Sequence, residues 1–84
     1  PHVRVLVADI LSLDLDELAA DGARVVANLP YNIATAVITK LLRARRFARL
    51  VVMVQLEVAK RLQAPPGSKT YGSLSIFAQM EAQV

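Results

Sequence analysis

The chain has 84 residues, of which 55% are hydrophobic and 20% charged, and its formal net charge is +3. It has no cysteine, which excludes disulfide frameworks and cysteine-ligated zinc, and with the single histidine at position 2 no metal site is expected. No apolar run reaches the roughly 18–20 residues of a membrane span and no leader peptide is visible, so we expect a cytoplasmic protein without a membrane partner. The positive charge weakly indicates a polyanionic partner.

The apolar content is high for a chain of this size, which buries only roughly 60–65% of its unfolded surface. Such a composition is typical of strands covered on both faces, as in parallel sheets. The chain also opens directly into an apolar run instead of an initiator methionine. We therefore expect residues 1–84 to form a single partial domain of a larger α/β protein.

In the first part of the chain, short strands and one short helix are predicted. Val3–Ala8 is predicted to be a buried strand that ends at Asp9. Asp14–Glu17 has the spacing of a capping box, which predicts a short helix that stops by Gly22. Arg24–Ala27 is predicted to be a second short strand, and it leads directly into a polar tetrapeptide.

The second part continues the alternation. Apolar residues at helical spacing predict an amphipathic helix over Ala34–Arg46. Leu50–Gln55 is apolar almost throughout, which predicts a central strand, and Glu57–Ala64 is predicted to be helical. Turn residues mark Pro65–Thr70 as a loop. Ser73–Met80 is predicted to be a helix, although its alternation of apolar and polar residues also fits a strand. This order predicts βαβ units and a parallel sheet with flanking helices.

The tetrapeptide Asn28-Leu29-Pro30-Tyr31 carries the chemistry. It stands where a parallel strand ends, which is where ligands bind in open α/β sheets. The plain alternative is a strand-to-helix turn in which Pro30 bends the chain, Asn28 caps and Tyr31 packs. The exocyclic N6 of adenine, however, is activated by two neutral acceptors, and the Asn28 side chain and the Leu29 carbonyl can supply them. Pro30 biases Leu29 towards an extended conformation, and Tyr31 offers a ring on which a flipped-out adenine can stack.

Three sequence blocks resemble one known family. Val25–Ile33 (VVANLPYNI) resembles the acceptor motif of the small-subunit ribosomal RNA adenine N6,N6-dimethyltransferases. Val52–Leu62 and Pro66–Ser75 resemble the same family, in the same order and at similar spacing. Leu29 is typical of these enzymes, whereas DNA-amino and glutamine methyltransferases show N-P-P-Y or D-P-P-Y.

The resemblance implies a Rossmann-like fold and S-adenosylmethionine-dependent dimethylation of adenine N6 in small-subunit ribosomal RNA or its pre-ribosomal particle. It makes Asn28, Leu29, Pro30 and Tyr31 the catalytic segment. Asp9 and Asn28 would bind the cofactor, although Asp9 could equally cap a turn. Tyr31 and Lys69 would contact the RNA, with Lys69 contributing phosphate contacts.

The same resemblance implies two further parts of the protein besides the acceptor segment. The family has a glycine-rich cofactor loop and a C-terminal helical domain, and neither is present in the sequence. We therefore expect the 84-residue chain alone to be inactive, with open strand edges that favour self-association. The chain also departs from the family at Leu56, where a lysine is usual, and at Ala34, where serine or threonine is common.

Two other function classes stay open. One is a methyltransferase that acts on DNA adenine or protein glutamine, and the other is a non-catalytic RNA-binding or ribosome-assembly factor of the same fold. A cluster of basic residues lies at the end of the amphipathic helix and just after it. The plain expectation for it is a solvated face near a helix C-terminus, and contact with RNA is the other interpretation. The cluster comprises Lys40, Arg43, Arg45, Arg46 and Arg49.

Overall fold

The computed structural model describes residues 2–84. A 3₁₀ turn at Ile10–Ser12 is followed by two strands and four helices in the order α1, β1, α2, β2, α3 and α4. Their bounds are Leu15–Leu18 (α1), Arg24–Asn28 (β1), Ala34–Ala44 (α2), Arg49–Met53 (β2), Leu56–Gln63 (α3) and Ser73–Glu81 (α4). Within these residues, no helix is long and apolar enough to cross a membrane.

The two strands form a parallel pair, which confirms the predicted α/β class. Their register runs from Arg24 opposite Arg49 to Asn28 opposite Met53. Helix α2 connects the strands, as a parallel pair requires a crossover connection. Both strands therefore end at the same edge of the sheet.

Only one face of this sheet is covered. Alternate residues of β1 and β2 pack on the core, whereas Val26, Val51 and Met53 are exposed on the other face. The predicted central strand, buried on both faces, is therefore not what the structure shows. β2 ends at Met53 and has only β1 beside it among residues 2–84. An apolar composition on both faces allows a strand to be buried on both sides. Whether it is buried depends on the strands and helices that pack against it.

Helix α2 supplies the centre of the core, as the helical spacing predicted. Its buried side chains are Ala34, Val37, Ile38 and Leu41, which share one face of the helix. Burying a large aliphatic side chain contributes roughly 1.5–3 kcal/mol. The helix ends at Ala44, because Arg45 adopts a left-handed backbone conformation with φ of 53°.

The prediction of a strand at Val3–Ala8 is wrong for this structure. Val3, Val5 and Val7 are 85%, 81% and 100% exposed, and no residue of the described chain pairs with this segment. A strand must place its backbone N–H and C=O groups on a neighbour. Since the sheet consists of β1 and β2, the segment stays irregular despite its strand-like composition.

The short helix α1 begins and ends as predicted. The Asp14 carboxylate accepts a hydrogen bond from the Asp16 N–H at 3.0 Å, which caps the helix start. The helix stops at Leu18, and Gly22 follows with φ of 85°, in the left-handed region that favours glycine.

Two residues of the basic cluster fasten the segment before β1 to the core instead of facing solvent. The Lys40 ammonium donates to the backbone carbonyls of Ile10, at 2.8 Å, and of Leu13. Arg46 forms an ion pair with Asp16 at 2.7 Å. These cations hold the first part of the chain on α2, which the solvated-face interpretation did not anticipate.

Two further cations of the cluster bind α4. The Arg45 guanidinium donates two hydrogen bonds of 2.8 Å to the Glu81 carboxylate, and this contact lowers the pKa of Glu81. Arg43 lies over the Phe77 ring, 5.5 Å from its centroid. Four of the five basic residues therefore have partners within the protein, which weakens an RNA-binding interpretation of the cluster.

Helices α3 and α4 are joined by polar side chains of α4, which is helical as predicted. The hydroxyl of Ser75, which is fully buried, donates to the Arg61 carbonyl and accepts from the Gly72 N–H at 3.1 Å. The Gln79 amide donates to the carbonyls of Leu62 and Ala64 at 3.0 and 2.8 Å. These bonds supply partners to carbonyls at the end of α3 and just after it, where helical hydrogen bonds run out.

Replacing Ser75 with alanine should lower the free energy of unfolding by about 1–3 kcal/mol, because the fully buried hydroxyl and its hydrogen bonds to the partly buried Gly72 N–H and Arg61 carbonyl are lost. Denaturant unfolding of the complete protein measures the effect. Ser73→Ala is the matched control, since Ser73 is exposed at the start of the same helix. Equal stability of the two variants would contradict this account.

Candidate functional site

The acceptor segment predicted from the sequence begins at the carboxyl edge of the sheet. β1 ends at Asn28 and β2 ends at Met53 directly opposite. One residue further, the Leu29 N–H donates to the Met53 carbonyl at 3.0 Å. The chain segments that leave the two strands therefore start side by side.

Asn28 and Leu29 present two neutral acceptors in succession. The Asn28 side chain is exposed, and no hydrogen bond among residues 2–84 involves its amide. The Leu29 side chain is buried in the core, at 9% exposure, while its N–H is held by β2. No described residue donates to the Leu29 carbonyl. The backbone at Leu29 is thus held by its buried side chain and by its hydrogen bond to β2. Both acceptor oxygens stay available to a ligand.

Tyr31 lies beside these acceptors in the turn that leads into α2. The Ile33 N–H donates to the Pro30 carbonyl at 3.3 Å, which closes this turn. The Tyr31 side chain is 59% exposed and contributes to a shallow open cleft of about 260 Å³. The cleft is lined by Tyr31, Asn32, Thr35, Glu57, Val58 and Arg61.

The electrostatics of the cleft are set by Glu57 and Arg61. Hydrogen bonding with the Glu57 carboxylate is the largest cause that raises the pKa of the Tyr31 hydroxyl, and the charge of Glu57 is the next. The positive charge of Arg61 acts in the opposite direction. The net effect of the two side chains is to raise the pKa of Tyr31.

Two of the predicted site residues lie apart from this cleft. Asp9 is exposed, and its carboxylate accepts from the Leu11 N–H at 2.9 Å, so it caps the 3₁₀ turn. Lys69 is exposed in the loop that follows α3, beyond the end of that helix. Of the predicted site residues, only Tyr31 lines the cleft, and Asn28, Leu29 and Pro30 precede it directly in the chain.

Sequence reasoning missed Glu57 as a residue of this site. A signal was available, because Glu57 follows the end of the strand next to β1 and stands in the first turn of a helix. The carboxyl ends of neighbouring parallel strands meet at one edge, so the residues after β2 should have been considered together with Asn28 and Tyr31.

A larger groove of about 840 Å³ opens elsewhere, at the amino end of β2. It includes Arg45, Arg49 and Leu50 together with the end of α4. Its lining contains none of the residues at the carboxyl edge of the sheet, so it is a separate feature. Among the described residues there is also no cluster of histidine and carboxylate side chains that could hold a metal ion.

Comparison with known proteins places the chain in a family. The family described as ribosomal RNA adenine dimethylase matches residues 1–84. The chain is 52% identical to ribosomal RNA small subunit methyltransferase A of Geobacter sulfurreducens, over 100% of this chain and 32% of the relative. The proteins of the same name from Paramagnetospirillum magneticum and Shouchella clausii are 47% and 43% identical, each over 99% of this chain and 30% of the relative.

The chain thus spans about a third of the length of the curated relatives it matches. Its parallel strands with flanking helices are consistent with part of a Rossmann-like methyltransferase fold. The matches extend over the three blocks that carried the resemblance in the sequence, which is thereby confirmed. Residues 1–84 belong to the ribosomal RNA adenine dimethylase family.

Proposed function

We propose that this chain is the target-adenine part of a methyltransferase that dimethylates adenine N6 in small-subunit ribosomal RNA, with S-adenosylmethionine as methyl donor. The observation that carries the proposal is a pair of neutral acceptors, at Asn28 and Leu29, to which none of residues 2–84 donates a hydrogen bond, next to the exposed ring of Tyr31. The names of the relatives support an RNA methyltransferase. The cytoplasm and the pre-ribosomal particle are the proposed setting of the reaction.

The acceptors act on the electron pair of the target nitrogen. The two N6 hydrogens donate to the Asn28 side-chain oxygen and to the Leu29 carbonyl, which draws the lone pair out of the ring. Positive charge develops on N6 as the new C–N bond forms and the methyl–sulfur bond of the donor breaks, with its electron pair left on the sulfur. Both oxygens would stabilise the charge on N6 where they already stand. A proton leaves N6 to water afterwards, so neither residue has to act as a strong base.

Pro30 and Tyr31 complete the acceptor segment. Pro30 restricts the backbone conformation of Leu29, which favours an extended geometry at the acceptor carbonyl. The ring of Tyr31 stacks on the extruded adenine, which contributes about 1–3 kcal/mol per base. Stacking holds the base in place without reading its sequence context.

S-adenosylmethionine supplies an electrophilic methyl group when it is bound. Of the residues present, Asn28 has a free amide at the strand end, and Asp9 has one carboxylate oxygen engaged with Leu11 and the other open. Both fit polar contacts to the cofactor, and we assign them that role. Lys69, exposed on its loop, is assigned to contact RNA phosphates, which gives affinity without sequence specificity.

We further propose that residues 1–84 are one partial catalytic domain, and that the complete protein adds a glycine-rich cofactor loop and a C-terminal helical domain. The relatives, about three times as long as this chain, support this organisation. The exposed Val26, Val51 and Met53 on one face of the sheet support it as well, because such a face is normally covered.

A polypeptide limited to residues 1–84 should therefore bind S-adenosylmethionine too weakly for micromolar titration, because Asp9 and Asn28 provide only two contacts. The same polypeptide should self-associate through the open edges of β1 and β2. Calorimetric titration and light scattering measure the two properties. A monomer that binds the cofactor at micromolar concentration would show that the cofactor site consists of other residues.

The function is tested by labelled methyl transfer from S-adenosylmethionine to under-methylated small-subunit particles, with the complete protein as enzyme. Nucleoside analysis should identify N6,N6-dimethyladenosine as the product. DNA with unmodified adenine and a glutamine peptide serve as competing substrates. Methylation of either one in place of the RNA would reject the proposal, and RNA binding without methylation would favour an assembly factor.

A further inference from the structure

The cleft beside Tyr31 contains one acidic group that the proposed reaction does not use. We propose that Glu57 is a positioning residue, which fixes the ring of Tyr31 for base stacking by accepting the hydrogen of its hydroxyl. This inference rests on the proposed function for its catalytic consequence. The contact itself can be tested without any methyl transfer.

The position of Glu57 follows from the sheet. Because β1 and β2 are parallel and Asn28 lies opposite Met53, the two exits of the sheet are adjacent. Tyr31 lies in the segment that follows β1. Glu57 lies in the segment that follows β2, in the first turn of α3. Both side chains line the same cleft. The juxtaposition of the two residues therefore follows from the parallel register.

The backbone that carries Glu57 is well fixed. The N–H groups of Val58 and Ala59 donate to the Gln55 carbonyl at 3.0 and 3.2 Å, which closes the first turn of α3. The side chain of Val58 is buried in the core at 6% exposure. Glu57 thus lies on a closed helical turn that is anchored in the core by the side chain of Val58.

Tyr31 needs such a partner because it is exposed on a turn. With 59% of its side chain accessible, packing alone does not hold the plane of the ring. A carboxylate that accepts a phenol hydrogen forms a charge-assisted bond, which is stronger than a bond between neutral groups. The raised pKa of Tyr31, caused first by Glu57, agrees with this contact. A ring that is held before the base arrives loses less entropy on stacking.

A purely structural role for Glu57 makes a different prediction. A negative charge in the first turn of a helix favours the helix through its dipole. Glutamine and alanine both remove that charge, so Glu57→Gln and Glu57→Ala would then be equally harmful. If Glu57 positions Tyr31, glutamine keeps an acceptor oxygen and alanine does not.

The kinetic test compares Glu57→Gln, Glu57→Ala, Tyr31→Phe and the Glu57→Ala/Tyr31→Phe double variant in single-turnover methylation by the complete protein. Glu57→Gln should stay within about threefold of the unmodified protein, and Glu57→Ala should lose roughly threefold to tenfold, the effect of one exposed hydrogen bond. Tyr31→Phe should lose about as much, and the double variant no more than either single one. Additive losses in the double variant would overturn the proposal.

The second test titrates Tyr31 in the same proteins by ultraviolet absorbance, as the difference from the corresponding Tyr31→Phe variant. Glu57→Ala should lower the pKa of Tyr31 towards its ordinary value, and an unchanged titration would overturn the contact. The two proposals fail separately. If no protein variant methylates RNA, the proposed function is wrong, and the titration still decides whether Glu57 holds Tyr31.

Discussion

Replacing Asn28 with alanine in the complete protein is expected to slow methyl transfer by about 10²–10³-fold, the usual cost of losing one preorganised acceptor. The side chain is exposed and engages in no hydrogen bond with residues 2–84, so its removal should leave the fold intact. Single-turnover methylation of small-subunit particles measures the chemical step directly. The loss should appear in the rate at saturating RNA, because the acceptor acts on charge that develops during the reaction.

Gln63→Ala is the matched control for Asn28→Ala. Gln63 also carries an exposed amide, but it lies at the far end of α3, outside the cleft. It should leave the rate unchanged, and circular dichroism of both variants should match the unmodified protein. An Asn28→Ala protein within about threefold of the unmodified rate would rule out the assigned role, because that factor is far below the expected loss.

Tyr31→Ala is expected to reduce methyl transfer roughly tenfold to a hundredfold, since base stacking on an aromatic ring contributes about 1–3 kcal/mol. Tyr31→Phe keeps the ring face and should lose only the modest effect of the proposed hydrogen bond to Glu57. The measurement is the same single-turnover assay, with RNA binding determined in parallel. The large difference between the two variants is the signature of stacking.

The outcome that contradicts this account of Tyr31 is a Phe variant as slow as the Ala variant. In that case the hydroxyl itself would take part in the reaction, and the ring would not be the important group. Because Tyr31 is 59% exposed, neither substitution should disturb the core. Unfolding experiments on both variants verify that a lost rate reflects the cleft.

The sequence was sufficient wherever the determining interactions are local. The spacing of apolar residues from Ala34 onward predicted α2 and its buried face, because a helix closes its own hydrogen bonds between near neighbours. Asp14 marked the start of α1 for the same reason, and the helix ends at Leu18, before Gly22 is reached. The acceptor segment at Asn28 was also located correctly at the end of a strand, since the strand, the proline and the following helix are contiguous in the chain.

The site was predicted only in part. The sequence identified Asn28, Leu29 and Tyr31 as neighbours, and the structure adds that the Leu29 backbone is held by β2 while its carbonyl stays open. Asp9 and Lys69 were included through the resemblance, and the structure does not bring them to the cleft. Their roles depend on contacts with groups outside the described cleft, which no local pattern encodes.

Tertiary structure alone decided the pairing of distant segments. Val3–Ala8 has the composition of a strand, but a strand exists only where another backbone accepts its hydrogen bonds, and none of residues 2–84 does. The sequence alone left the basic residues in and just after α2 free to face solvent. In the folded chain, Lys40 and Arg46 bind carbonyl and carboxylate oxygens of the first segment. Glu57 meets Tyr31 for the same kind of reason: the parallel register of β1 and β2 brings together two chain exits that are distant in sequence.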